Sequence, residues 1–123
     1  MNSCRGGCHC GAVKFRIQIP DALVIHQCNC SICKMSGYLH LIVPAESFEL
    51  IQGQEQLVDY TFNTGVAHHL FCGKCGVKSY YVPRSHPDGF SVNLNCVEIP
   101  ENVEVVIEPF DGQNWTKSRL TMD

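Results

Sequence analysis

Nine cysteines in 123 residues constrain this chain more than any other feature, because seven of them fall in three tight groups. The groups are Cys8-His9-Cys10, then Cys28-Asn29-Cys30-Ser31-Ile32-Cys33, then Cys72-Gly73-Lys74-Cys75, with Cys4 and Cys96 standing alone. In a secreted chain such density reads as a disulfide scaffold, whereas thiols in a reducing compartment are kept for metal or redox chemistry. The count is odd, so pairing alone cannot use all nine. The first seven residues hold no apolar core of a signal peptide, and no later apolar stretch approaches the ~20 residues of a transmembrane helix. The expected compartment is therefore the cytoplasm, with no membrane partner.

In "FCGKCG" the C-x2-C spacing lets a tight turn direct two sulfurs at one ion, with Gly73 and Gly76 able to take positive φ and bring backbone N–H groups to the thiolates. In "GGCHCG" the two thiols lie one residue apart, so in an extended segment they share a face. Each pair is half of a tetrahedral site. The expectation is that Cys8, Cys10, Cys72 and Cys75 share one structural zinc, which would tie the first strand to a later hairpin and contribute directly to folding. The competing reading is four reduced cysteines acting as small hydrophobes. Two pairs are a more specific signal than a lone C-x2-C.

Cys28, Cys30 and Cys33 form a trio. A closed structural zinc site takes four protein ligands, while a catalytic one commonly takes three and keeps a position for water or substrate. A fourth donor could come from Cys96 or from His26, His40, His68, His69 or His86, and any of these would close the site. The cluster spacings common in ferredoxins differ from this one, so an iron–sulfur reading is set aside. Cys4 and Cys96 read as bystanders.

Around these groups the pattern is that of strands. Residues 12–19, "AVKFRIQI", alternate apolar Val13, Phe15, Ile17 and Ile19 with polar Lys14, Arg16 and Gln18, the period of a half-buried strand. Further β-rich runs lie at 23–27, 38–43, 48–52, 57–62, 67–71, 77–82, 89–94 and 103–108, each bounded by turn formers. No window keeps a 3.6-residue period for three turns, so helix is confined to one turn near 31–37 and another near 100–103. The class is all-β. A chain of this length, 45% hydrophobic and 17% charged, fits one domain with its own core, expected over 1–123 with about 116–123 as a frayed tail. The net charge of -3, with no run of like charges, lacks the footprint of a nucleic-acid binder.

Taken together, "GGCHCGAVKF", "CNCSICKMSG", "FCGKCGVKSYYVPRSHPDGFSVNLNC" and "FDGQNW" resemble, in order and spacing, the family of the glutathione-dependent formaldehyde-activating enzyme and centromere protein V. The resemblance covers almost the entire chain. It implies a β-tent of antiparallel sheets carrying two zinc ions: a structural one on Cys8, Cys10, Cys72 and Cys75, and a second on Cys28, Cys30 and Cys33 with a position left for solvent or the thiol of glutathione. The chain has no long basic extension, which turns the reading away from a centromere-type role. The activity implied is that of a carbon–sulfur lyase joining glutathione to formaldehyde.

Three thiolates give a zinc site a formal charge of -1, which weakens it toward water and suits thiol chemistry instead. The trio is therefore read as ligands rather than nucleophiles, and no general base is assigned; His26, close in sequence, is read as structural. Ser85, His86 and Asp88 are neighbours on a proline-rich turn and point in different directions, so they read as a turn and not as a triad. Phe110 and Trp115 are expected to pin the C-terminal segment to the sheet.

Overall fold

A computed structural model describes residues 1–29, 31–62, 67–83 and 88–110. The alternating segment forms β2 (Lys14–Ile19), with Phe15, Ile17 and Ile19 fully buried and Lys14 and Arg16 exposed. It is the middle strand of a three-stranded antiparallel sheet between β1 (Asn2–Gly7) and β5 (Phe48–Gln52). The sequence did not mark β1 as a strand, since "NSCRGG" is poor in β-formers. Its identity comes from pairing: Cys4 lies opposite Ile17 and faces the core, and Gly6 lies opposite Phe15. A Cβ at position 6 would sit 2.5 Å from the Phe15 ring and 2.9 Å from the Cys96 carbonyl oxygen, so the ring's place depends on a glycine there.

The second sheet has five strands, composed of β3 (Ala22–Cys28), β4 (Leu39–Pro44), β8 (Tyr80–Tyr81), β9 (Gly89–Asn93) and β10 (Glu104–Phe110), in the order β10-β3-β4-β9-β8. The antiparallel expectation holds for every described pairing but one, because β10 runs parallel to β3. As the outer strand, β10 leaves Val105, Val106 and Ile107 more than a third exposed. A third, two-stranded sheet pairs β6 (Leu57–Tyr60) with β7 (His69–Cys72).

Of the two expected helical turns, one is present. The first is α1 (Ser31–Ser36), ended by Gly37 at φ +64°. Around 100–103 there is a turn, not a helix, closed by the Val103 N–H donating to the Pro100 carbonyl at 3.1 Å.

The core lies between the two larger sheets and is joined by rings. Phe15 and Phe48 stack at 5.2 Å between centroids, and Phe48 in turn meets Phe90 of β9 at 4.3 Å and Tyr80 of β8 at 4.7 Å. Burying each such side chain stabilises the fold by about 1.5–3 kcal/mol, so this stack is a principal tie between the sheets. Among the described residues no helix is long and apolar enough to cross a membrane. The expected tail, the loop at 84–87 and Trp115 fall outside the described residues.

Candidate metal centres

Cys8 and Cys10 do not lie in an extended segment as expected; they sit on a turn between β1 and β2. The Cys8 N–H donates to the Val13 carbonyl at 3.1 Å, the Gly11 N–H to the Cys8 carbonyl at 3.2 Å, and the Val13 N–H to Cys8 Sγ at 3.3 Å. A second turn follows β7, where the Gly76 N–H donates to the Cys72 carbonyl at 2.8 Å and the Lys74 N–H to Cys72 Sγ at 3.4 Å. Of the two glycines there, Gly76 takes the positive φ, at +76°, and Gly73 does not.

The two turns face each other. The sulfurs of Cys8, Cys10, Cys72 and Cys75 all lie within 4.8 Å of one another, with Cys8–Cys10 and Cys10–Cys72 both at 3.7 Å. Four sulfurs about 2.3 Å from one zinc stand roughly 3.8 Å apart at the edges of a tetrahedron, which the Cys8–Cys10 and Cys10–Cys72 separations match.

Charge points the same way. The Cys75 thiol is lowered to about 6 because its sulfur accepts the backbone N–H groups of Cys10 and Val77. Those of Cys75 and Lys74 lower Cys72. At Cys10 the Ala12 N–H favours the thiolate, but burial and the sulfurs of Cys8, Cys72 and Cys75 outweigh it and push the thiol up to about 11. Negative charge gathers in a small volume, which a divalent cation relieves. Cys96, pushed up to about 11 by burial and then by Cys8 and Cys75, stands outside this donor set.

A second cluster joins Cys28 at the end of β3, Cys33 in α1 and His40 in β4, again with all donor atoms within 4.8 Å. The chain leaves β3, makes one helical turn and returns antiparallel along β4, pairing His26 with His40. That reversal places position 40 over the cysteines. Cys30, the third member expected here, lies outside the described residues.

Of the candidate fourth donors, the described residues bring His40 alone to this cluster. His26 meets the Phe110 ring edge-on at 6.0 Å. His68 pairs with Asp59 at 2.9 Å, and His69 Nδ1 accepts from Lys78 Nζ at 2.7 Å. His86 lies outside the described residues.

His40 is 5% exposed and held from both sides of its ring. Nε2 is 3.1 Å from Cys33 Sγ, while Nδ1 is 2.9 Å from Ser91 Oγ and 3.1 Å from the Tyr81 hydroxyl. Tyr38 closes the cluster: its ring lies 4.6 Å from His40, burial keeps its phenol well above the usual value, and its hydroxyl donates to the Ser91 carbonyl at 2.6 Å. Lys78 lies over the Tyr81 ring at 3.9 Å and the Tyr38 ring at 4.8 Å, and His69 stacks on Tyr81 at 4.8 Å. Sequence reasoning missed Tyr38, Lys78, Tyr81 and Ser91, because no spacing rule joins positions that far apart.

The comparisons with known proteins follow the same lines. A family model described as "Glutathione-dependent formaldehyde-activating enzyme" matches residues 3–117. A Halomonas elongata protein with the printed name "Putative glutathione-dependent formaldehyde-activating enzyme" is 29% identical to this chain, over 84% of the chain and 74% of its own length. A crystal structure of a Rhodobacter sphaeroides protein superposes with a TM-score of 0.70 at 29% identity, covering 83% of this chain and 99% of its own. With that match running through both cysteine clusters, the chain belongs to the glutathione-dependent formaldehyde-activating enzyme family.

Proposed function

We propose that this chain is a zinc-dependent enzyme of the carbon–sulfur lyase type, which activates a thiol such as glutathione for addition to a small electrophile such as formaldehyde. The observation that carries the reading is a second donor cluster, at Cys28, Cys33 and His40, separate from the four-cysteine cluster. Residues 1–123 act as one zinc domain in the reducing cytoplasm, where the thiols stay available.

Cys8, Cys10, Cys72 and Cys75 would hold the structural ion, and Cys28, Cys30 and Cys33 the second. A zinc ion held there supplies a lowered pKa to a thiol that joins it, so that the sulfur reacts as a thiolate at neutral pH. Cys28 and Cys33 fix two donor positions from a strand end and a helical turn, and the buried Tyr38 and Tyr81 keep bulk water from that side. In the reaction a carbon–sulfur bond forms, the carbonyl π bond of the aldehyde breaks, and the thiol proton ends on the former carbonyl oxygen through solvent. The product with formaldehyde is S-(hydroxymethyl)glutathione.

The test is to follow the mixing of glutathione with labelled formaldehyde by NMR, with and without the zinc-loaded protein. Faster formation of the adduct, lost in Cys33→Ser, is expected; a rate equal to the spontaneous one would overturn the reading.

A second reading, a zinc-stabilised scaffold, is favoured by the burial of His40 beside Cys33, a donor placed to fill a fourth position. Under that reading Cys28→Ala would unfold the domain as fully as Cys72→Ala.

A further inference from the structure

We infer that His40 is itself a metal ligand, giving the second centre a mixed sulfur–nitrogen donor set through Nε2 rather than an all-sulfur one. The inference rests on the proposed second metal centre, but not on that centre being catalytic.

Three observations meet at this side chain. His40 is buried with its Nε2 turned to the cysteines, 3.1 Å from Cys33 Sγ. The donor atoms of Cys28, Cys33 and His40 lie within 4.8 Å of one another, as donors sharing an ion must. The far side of the ring is also fixed. Nδ1 has Ser91 Oγ at 2.9 Å, and Ser91 is itself fully buried and immobilised in β9. Metal-binding histidines commonly donate their other ring N–H to such an acceptor, which sets the tautomer and aims the ligating nitrogen. With Nδ1–H donated to Ser91 Oγ, Nε2 carries a lone pair toward Cys33.

The competing arrangement has Nε2–H donating to the Cys33 sulfur. Nitrogen and sulfur bound to one zinc in a tetrahedron stand roughly 3.5 Å apart, and the present 3.1 Å needs an opening of only a few tenths of an ångström. Beside the thiolates of Cys28, Cys30 and Cys33, a neutral imidazole adds a nitrogen donor without adding charge. Three cysteines and one histidine are also an established tetrahedral zinc donor set.

The experiment is zinc K-edge absorption spectroscopy on untagged full-length protein whose zinc content has been measured, with His40→Gln beside the wild type. About two zinc ions per chain and imidazole scattering that disappears in His40→Gln are expected. Ser91→Ala, which keeps the ligand and loosens its support, should weaken the affinity of one of the two ions about 10–100-fold. Two zinc ions in purely sulfur surroundings would overturn this inference and leave the second centre standing. One ion per chain after zinc is added back would overturn both. The wild-type spectrum decides the question even if His40→Gln fails to fold.

Discussion

Phe110 lies opposite Cys28 in the parallel register of β3 and β10, and its carbonyl accepts the Asn29 N–H at 3.1 Å. The last described residue of the C-terminal strand thus braces the backbone at the point where the second cysteine group begins. Asn29→Pro removes that donor. It is expected to drop the zinc content from about two per chain to about one while circular dichroism keeps its β signature; retention of both ions would show that the brace is dispensable.

The two cysteine clusters should differ in what they hold together. Cys72→Ala removes one of the four sulfurs that bring the β1–β2 turn and the turn after β7 together, and a loss of at least about 4 kcal/mol is expected if they share a structural zinc as proposed. Cys28→Ala should keep most of the stability and lose thiol addition. Urea unfolding of both variants, together with the NMR assay, checks the contrast.

Glutathione offers a test that separates the two functional readings. Under the enzyme reading, adding it raises the sulfur count at the second centre in the zinc absorption spectrum. An unchanged spectrum at saturating glutathione would favour the scaffold.

Gly6→Ala places a methyl against the Phe15 ring and the Cys96 carbonyl. Overpacking of this kind costs about 1–3 kcal/mol. Urea titration should show that loss, and combining the change with Phe15→Leu should recover part of it, because the ring is what the methyl strikes.

Burial raises the pKa of both the Cys4 thiol and the Tyr80 phenol. A raised value means that the folded chain keeps its proton where the unfolded chain releases it. The associated stability is therefore complete below the ordinary values of 9.0 for Cys4 and 10.0 for Tyr80, and falls as pH rises past them. Unfolding free energy measured from pH 8 upward should decline above that point, and Cys4→Ala should remove the thiol's share of the decline.

How far the sequence reaches is clearest at particular residues. Val13 to Ile19 could be read as a strand because each side chain there reports its own face, and Cys8, Cys10, Cys72 and Cys75 could be grouped because ligand spacing is local to each turn. His40 stood among five histidine candidates. What singles it out is the return of β4 beside β3, a relation between strands that no short window contains. The same holds for β1, whose strand character is lent by β2, and for β10, whose "VEVVIE" reads like a half-buried strand but lies at the edge of its sheet with Val105, Val106 and Ile107 in water.

The first cluster also sets an order of events during synthesis. Cys10 and Cys72 are separated by 62 positions, and at about 5–20 residues per second the ribosome needs roughly 3–12 s to cover that distance. Throughout that interval the nascent chain displays Cys8 and Cys10 as an incomplete pair, able to hold an ion loosely but not to lock it. The strands of the first sheet, complete by Gln52, can assemble before the clasp that secures them exists. Under the proposed zinc reading, a shortage of the metal would be felt late, in chains already half assembled.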